Sequence, residues 1–193
     1  MGPTGLNEFI KFYYPQLNKE ALIIDVRGNG GGNVSPMLIE RLRREAIMAN
    51  RARDRRAAPN PAGTMMGPMI TLMDEFSASD GDLFPYRFRA SGLGKLVGKR
   101  SWGGVVGIWG SLPFVDGGTM QKPESAPYAI DGSEWIIEGH GVDPDIVVDN
   151  DPWKEYTGTD QQLLRGIEEI LKELPNAQKL PAPPPYPNKS NRK

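Results

Sequence analysis

Twice along this chain, a short continuous apolar run is followed by a polar turn and then by a pattern of helical spacing. The runs are 21–26 (ALIIDV) and 68–73 (PMITLM). A short apolar run without polar alternation is typical of a strand that is covered on both faces of a sheet. Because parallel strands need a crossover between them, usually a helix, the pattern predicts an α/β fold. This feature constrains the fold more than any other in the sequence.

The other segments predict helices and hairpins around these strands. Helices are expected over 6–17, ending at Pro15, over 35–48, with Ser35 as N-cap and Pro36 as the first helical residue, and over 83–90 and 160–174. A short strand is expected at 96–98, a Gly-rich turn and strand at 101–110, hairpins at 111–137 and a loop entering a strand at 139–148. The ordered unit is predicted to be 1–180, and the Pro-rich segment 181–193 is predicted to be disordered.

Composition excludes several classes of protein. The chain of 193 residues has no Cys, which excludes disulfides, thiolate metal sites and a Cys nucleophile. It has 1 His, so a metal site built from several His is impossible. A formal net charge of −1 argues against a general nucleic-acid-binding protein. Because membrane spans need roughly 20 consecutive apolar residues, and the sequence contains no such run, no membrane association is expected.

Both predicted strand-to-helix turns contain residues suited to chemistry. Gly30-Gly31-Gly32 follows the first strand, and glycines there allow backbone N–H groups to approach a ligand closely. Ser77 and Ser79 follow the second strand, where a hydroxyl next to a helix N-terminus suits a nucleophile whose oxyanion needs N–H donors. Each turn taken alone also has an ordinary interpretation, as a tight turn or as a helix cap.

A third candidate segment is WIIEGHGVDPD, residues 135–145. It carries Glu138, which could orient a base, and His140, the only imidazole of the chain. A single His in a loop is also compatible with a purely structural or solvent-exposed role.

Taken together, these segments resemble the tail-specific (C-terminal-processing) serine peptidases, in particular their tricorn protease branch. The resemblance runs from about residue 6 to about residue 174. It rests on four strings, DVRGNGGGNVS, SASDGDLFPYRF, GKRSWGGVVGI and GVDPDIVVDNDP.

The resemblance implies a Clp protease/crotonase-like α/β fold, with a mixed sheet and flanking helices, and a serine endopeptidase that needs no cofactor and no metal. Ser79, directly before Asp-Gly-Asp, matches the nucleophile, and Glu138 matches the carboxylate of the catalytic tetrad. The N–H groups of Gly32 and Asp80 match the donors of the oxyanion hole. Ser77 is the rival nucleophile, and Ser79 is preferred because the residue after it begins the helix.

The general base is missing from the expected place. In the tricorn branch it is a His upstream of the glycine corner, which is Gly30-Gly31-Gly32 in this sequence. This chain has no His before position 140. His140 itself, or Lys95 or Lys99 in a Ser-Lys dyad, are the alternatives within the chain. The simplest interpretation is a C-terminal catalytic subdomain of a longer enzyme, whose upstream part supplies the His and a PDZ-like domain. The isolated chain is then expected to be nearly inactive.

Specificity and partners follow less directly from the sequence. Asp54 lies in the loop where tricorn relatives place an acid that favours basic substrate residues, but Arg51, Arg53, Arg55 and Arg56 surround it. These Arg could instead bind the C-terminal carboxylate of a peptide.

The expected partners are a peptide or an unfolded polypeptide, the upstream domains and, by resemblance, further copies of the chain. A cytoplasmic location is slightly favoured over a periplasmic one. A peptide-binding module without catalysis and a crotonase-like acyl-CoA enzyme remain the alternative functions.

Overall fold

The two apolar runs form neighbouring parallel strands at one side of a four-stranded sheet. The computed structural model describes residues 1–110, 112–188 and 190. Its strands are β1 (Leu22–Asp25), β2 (Met48–Asn50), β3 (Ala58–Asn60), β4 (Met69–Met73), β5 (Gly94–Gly98), β6 (Gly107–Gly110), β7 (Gln121–Ser125) and β8 (Ile146–Val147). Its helices are α1 (Pro3–Gln16), α2 (Ser35–Leu42), α3 (Asp80–Ala90), α4 (Pro152–Tyr156) and α5 (Gln161–Glu173), which is followed by a 3-10 turn, Leu174–Asn176.

The central sheet has the order β1-β4-β5-β8, and every neighbouring pair in it is parallel. Leu22 pairs with Met69, and Met69 in turn pairs with Gly94. Two antiparallel ribbons, β2–β3 and β6–β7, complete the strands. The predicted α/β class is therefore confirmed, with parallel strands in the central sheet and antiparallel strands in the ribbons.

Helices cover both faces of the sheet. Alternate residues of β4 point to opposite faces: Met69 and Met73 join a core with α1, α2 and α3, whereas Ile70 and Leu72 join a smaller core with α5. All five residues of β4 are buried, as its continuous apolar sequence predicts. The terminal helix was expected over 160–174, and α5 agrees closely with that expectation.

Three of the predicted helices have different limits in the structure, and one of them, α3, begins at Asp80 rather than at 83. α2 ends at Leu42 rather than at 48, and Met48 begins β2, which pairs with β3. The apolar spacing was misleading here because Ile47 is 76% exposed. Ser35 is the first helical residue and not the N-cap, since its side chain is buried against α3. α1 begins earlier than expected, at Pro3, and accommodates Pro15 within its last turn.

The later part of the chain forms the expected hairpins. β6 and β7 pair across the segment that contains the Asp116-Gly117 turn, and Tyr128 bridges to Trp135 around Asp131-Gly132. Residues 181–188 are in neither helix nor strand. The predicted disorder of 181–193 stays a prediction, and its positions 189 and 191–193 lie outside the described residues. In the described ranges, no helix has the length and apolar character needed to cross a bilayer.

Candidate active site

The glycine corner after β1 and the serine turn after β4 meet in the structure. Parallel strands end at the same edge of a sheet, and β1 and β4 are direct neighbours, so the turns that follow them are adjacent. A Cβ added to Gly31 would lie 2.8 Å from the Cβ and 3.2 Å from the Oγ of Ser79. Gly31 also has a φ of 120°, which favours glycine. The glycine corner can therefore approach Ser79 this closely because residue 31 has no side chain.

Ser79 has a strained backbone. Its φ is 55° and its ψ is −116°, and it directly precedes the first residue of α3. A non-glycine residue in such a conformation costs on the order of 1–3 kcal/mol, and these conformations cluster at functional sites. Hydrogen bonds maintain it: its N–H donates to the carbonyl of Gly104 at 3.1 Å, and its carbonyl accepts from Asp82 at 2.9 Å.

Two backbone N–H groups near Ser79 have no hydrogen-bond partner within the described residues. Among the described residues, no acceptor is found for the backbone N–H of Gly32 or of Asp80. Asp80 is the first residue of α3, where N–H groups have no partner within the helix and carry partial positive charge. The two predicted oxyanion-hole donors therefore lack an acceptor among the described residues, and the backbone of Met1 packs against Gly32, where an added Cβ would collide with the Met1 carbonyl group.

The side chain of Asp80 serves a different purpose from its N–H. It is buried and accepts hydrogen bonds from the N–H of Ser35, at 2.9 Å, and from the Ser35 hydroxyl. Arg87 lies 3.4 Å from the same carboxylate. This contact joins the N-termini of α2 and α3, which follow the two turns of the site. Sequence analysis missed it, since Ser35 was taken for a cap of its own helix.

Ser77, the rival nucleophile, is buried and already hydrogen-bonded. Its hydroxyl lies 3.1 Å from the carbonyl oxygen of Val26 and 3.0 Å from the carboxylate of Asp74. These contacts occupy the hydroxyl in linking the ends of β1 and β4. In contrast, the Ser79 hydroxyl has no hydrogen-bond partner in the part of the chain that the structure describes, and Ser79 is only half-buried.

Glu138 lies beside the loop that supports Ser79. One of its carboxylate oxygens accepts the N–H groups of Val105 and Val106, at 2.7 and 3.0 Å. That loop also contains Gly104, whose carbonyl accepts from Ser79. Glu138 is exposed, and its other oxygen makes no hydrogen bond within the described ranges. This second oxygen is therefore available to accept a hydrogen bond from another group.

None of the bases considered within the chain is paired with Ser79. His140 Nε2 lies 2.8 Å from the carboxylate of Asp143, and both side chains are exposed. Lys99 pairs with Glu75 and Asp149, and Lys95 pairs with Glu173 and Glu169. Hydrogen bonding to Glu75 raises the pKa of Lys99, and hydrogen bonding to Glu173 raises that of Lys95. A catalytic Lys needs the opposite shift.

Asp54 is not brought to the other candidate residues. It lies in an exposed loop at a depression of about 490 Å³ that also borders Ala57 and Pro183. The four neighbouring Arg line the same depression: Arg51, Arg53, Arg55 and Arg56. The described lining of this depression includes none of Ser79, Gly32, Asp80 and Glu138.

A separate apolar cavity of about 350 Å³ runs between α1 and the outer edge of β1. It is lined by all four residues of that strand and by Val26, which follows it, together with Phe9 and Tyr13 of α1. β1 is an edge strand, although its apolar run is typical of a strand with both faces covered. Ile23 and Ile24 are only half-buried as a result.

Comparison with protein families gives a match to the model described as Peptidase family S41, over residues 3–148. Tricorn protease of Thermoplasma volcanium is 41% identical over 174 residues, which are 90% of this chain and 17% of that protein. Tricorn protease of Thermoplasma acidophilum is 39% identical over 176 residues, 91% of this chain and 16% of that protein. This chain thus spans about a sixth of the length of these relatives.

Solved structures agree with this result. The crystal structure of the tricorn protease matches with a TM-score of 0.83 and 38% identity, covering 91% of this chain and 17% of that one. Mature CPAF matches with a TM-score of 0.66 and 18% identity, covering 90% of this chain and 48% of that one. The latter shows a shared fold alone. The fold is therefore that of tricorn-like peptidases, which confirms the predicted Clp protease/crotonase-like fold.

Proposed function

This chain belongs to peptidase family S41, and we propose that it supplies the nucleophile and the oxyanion hole of a serine endopeptidase. The observation that carries the proposal is the strained, half-buried Ser79 beside the N–H groups of Gly32 and Asp80, which lack acceptors among the described residues. Preorganised N–H donors directed at a developing oxyanion are a large source of rate enhancement in acyl transfer.

In the proposed reaction, Ser79 Oγ attacks the carbonyl carbon of a peptide bond while its proton passes to a general base. The carbonyl oxygen becomes an oxyanion and accepts hydrogen bonds from Gly32 and Asp80. The C–N bond then breaks, the amine leaves with the proton from the base, and an ester to Ser79 remains. Water hydrolyses this ester by the same steps and regenerates the hydroxyl.

We propose that the base is a His supplied by a segment outside these 193 residues and oriented by the free oxygen of Glu138. Three observations support this. His140, Lys95 and Lys99 are engaged elsewhere. The chain matches only 17% of the tricorn protease of Thermoplasma volcanium. The edge of β1 borders an apolar cavity in which a further segment could pack.

Substrate and setting are proposed on the same basis. The substrate is a peptide or an unfolded polypeptide, and assembly into homo-oligomers and a cytoplasmic location remain predictions from the resemblance. Asp54 remains a candidate contact for basic substrate residues, and an unchanged cleavage preference in an Asp54→Ala enzyme would remove that role.

A fluorophosphonate probe tests the proposal, with intact mass as the readout. The probe requires an activated Ser, which a lone hydroxyl near neutral pH is not. We expect no labelling of the isolated chain. We expect labelling of a chimaera in which the segment that precedes the matched region in the Thermoplasma volcanium protein is joined to this chain. The Ser79→Ala chimaera is the control and should remain unlabelled while keeping its circular dichroism spectrum.

The other outcomes are equally informative. Labelling of the isolated chain that disappears in Ser79→Ala would place the base within these residues and overturn the external His. A folded chimaera that is never labelled would favour the peptide-binding module without catalysis.

A further inference from the structure

Asp82 is a fully buried carboxylate that the proposed reaction does not use. It lies in the first turn of α3, three residues after Ser79, and its relative exposure is 0%. Burying an ionised carboxylate is costly unless hydrogen bonds compensate for the loss of water. Its partners therefore indicate why the fold retains it.

Those partners are two backbone N–H groups of the glycine loop 103–106. Asp82 Oδ1 accepts from Gly103 at 2.8 Å, and Oδ2 accepts from Gly104 at 3.3 Å. Within the described ranges Asp82 pairs with no Lys, Arg or His. Hydrogen bonds to an ionised acceptor are about twice as strong as neutral ones, so this carboxylate fixes the loop rather than forming an ion pair.

The glycine loop in turn contacts both parts of the proposed site. The Gly104 carbonyl accepts from the Ser79 N–H, at 3.1 Å, and the Gly103 carbonyl accepts from the Gly139 N–H, at 2.8 Å. The next two residues of the loop, Val105 and Val106, donate to Glu138. The loop thus touches the nucleophile on one side and the segment that carries the acid on the other.

The loop packs closely against residues 140–141. Gly103 has a φ of 90°, and a Cβ there would lie 2.5 Å from the Gly141 nitrogen. Its backbone therefore packs directly against the segment after Glu138. A displacement at Asp82 would be transmitted to Ser79 through Gly104 and to Glu138 through the neighbouring Val105 and Val106.

We propose that Asp82 is the positioning residue of this peptidase: through the glycine loop, it sets the placement of Ser79 relative to Glu138. It does not touch substrate, and its role deepens the proposed serine-peptidase function, on which it rests. An error of about 1 Å in such a placement can reduce a rate on the order of 100-fold.

The first test does not depend on catalysis. Amide hydrogen exchange is measured by NMR in the 193-residue chain and in Asp82→Asn, which keeps the shape but loses the charge. We expect about 10-fold faster exchange at Gly103 and Gly104, as for the loss of a strong hydrogen bond, and a parallel increase at Ser79, Val105 and Val106. Faster exchange confined to Gly103 and Gly104 would overturn the proposed positioning of Ser79 and Glu138 by Asp82.

The second test measures the rate of fluorophosphonate labelling in the chimaera. We expect Asp82→Asn to label at least about 10-fold more slowly, and Asp82→Ala more slowly still. Glu169→Gln is the matched control, because Glu169 is a buried carboxylate on α5 that pairs with Lys95, Arg165 and Lys172. It should lower the melting temperature without changing the labelling rate.

The two tests separate the two proposals. Labelling of folded Asp82→Asn at the unmodified rate would overturn the positioning role, even if the chimaera is active. An inactive chimaera would contradict the proposed function alone, because the exchange measurement still decides whether Asp82 controls the loop.

Discussion

At the scale of single residues, the candidate site depends on backbone conformations more than on side-chain identities. Ser79 and Ile137 are non-glycine residues with positive φ, of 55° and 73°, and each lies next to a proposed functional residue, Asp80 or Glu138. The sequence favours Ser79 over Ser77 through its motif and through its place directly before a helix. The tertiary structure adds a second reason, since the Ser77 hydroxyl is occupied by Val26 and Asp74.

The contact between Gly31 and Ser79 leads to the first prediction. Gly31→Ala adds a Cβ that lies 2.8 Å from the Ser79 Cβ, at a φ unfavourable to alanine. We expect fluorophosphonate labelling of the chimaera to fall at least about 10-fold and the free energy of unfolding to fall by about 1–3 kcal/mol. Gly30→Ala is the control, because its Cβ would meet nothing within 4 Å. Equal labelling in the two variants would contradict the close approach.

At the scale of secondary structure elements, polar contacts join helices to the strand ends near the site. Arg27, just after β1, makes a bidentate contact with Asp160 at 2.7 and 3.0 Å, and it also pairs with Asp25. Asp160 is the N-cap of α5 and accepts the N–H of Leu163 at 2.9 Å. One ion pair thus connects the helix on one face of the sheet to the strand that leads into the glycine corner.

This contact predicts a dependence of stability on pH. Hydrogen bonding to Arg27 lowers the pKa of Asp160 from 3.8 to about 2. A carboxyl group whose pKa is lower in the folded state than in the unfolded state stabilises the protein at pH values above its unfolded-state pKa. This stabilisation is lost as the pH falls through the folded-state pKa. We expect Asp160→Asn to lower the free energy of unfolding by about 1 kcal/mol at pH 7, since solvent screens this partly exposed pair. Urea titrations should show the difference shrinking between about pH 4 and pH 2.

The matched control is Asp151→Asn. Asp151 caps α4 through the N–H groups of Trp153 and Lys154, and the described residues provide it with no Arg partner. Because Asn is also a good N-cap, this variant should change stability less than Asp160→Asn. A difference between wild type and Asp160→Asn that is the same from pH 2 to pH 7 would exclude the charge of Asp160 as its cause.

At the scale of the whole molecule, the two faces of the sheet are unequal. The larger core lies under α1, α2 and α3, and the smaller one lies under α5. The larger core directly supports α3, which begins at the candidate site. Phe84 and Phe88 of α3 are fully buried and stack with ring centroids 6.0 Å apart.

The larger core should therefore dominate stability. We expect Phe88→Ala to lower the free energy of unfolding by about 3–5 kcal/mol, through lost burial and the cavity it leaves. Phe76→Ala, at a side chain that is 69% exposed, should change it by less than about 0.5 kcal/mol. Urea denaturation measures both, and a loss below about 1 kcal/mol for Phe88→Ala would contradict this assignment of the core.

The sequence by itself determined the α/β class, the strands β1 and β4, the helix α5 and the motifs by which the peptidase family was identified. These features depend on periodicity and on residue types that are adjacent in the chain, and such patterns are local. It misplaced the end of α2, because the spacing of Leu42 and Ile47 does not reveal which of them is buried.

Only the tertiary structure decided which groups are free and which are engaged. Ser35 with Asp80, Ser77 with Val26, and Asp82 with Gly103 are contacts between residues 21 to 51 positions apart. No local pattern encodes such pairs, since each depends on how two strand ends and a loop meet. The same is true of Lys95 and Lys99, whose ion pairs with Glu173 and Glu75 distinguish them from a catalytic base.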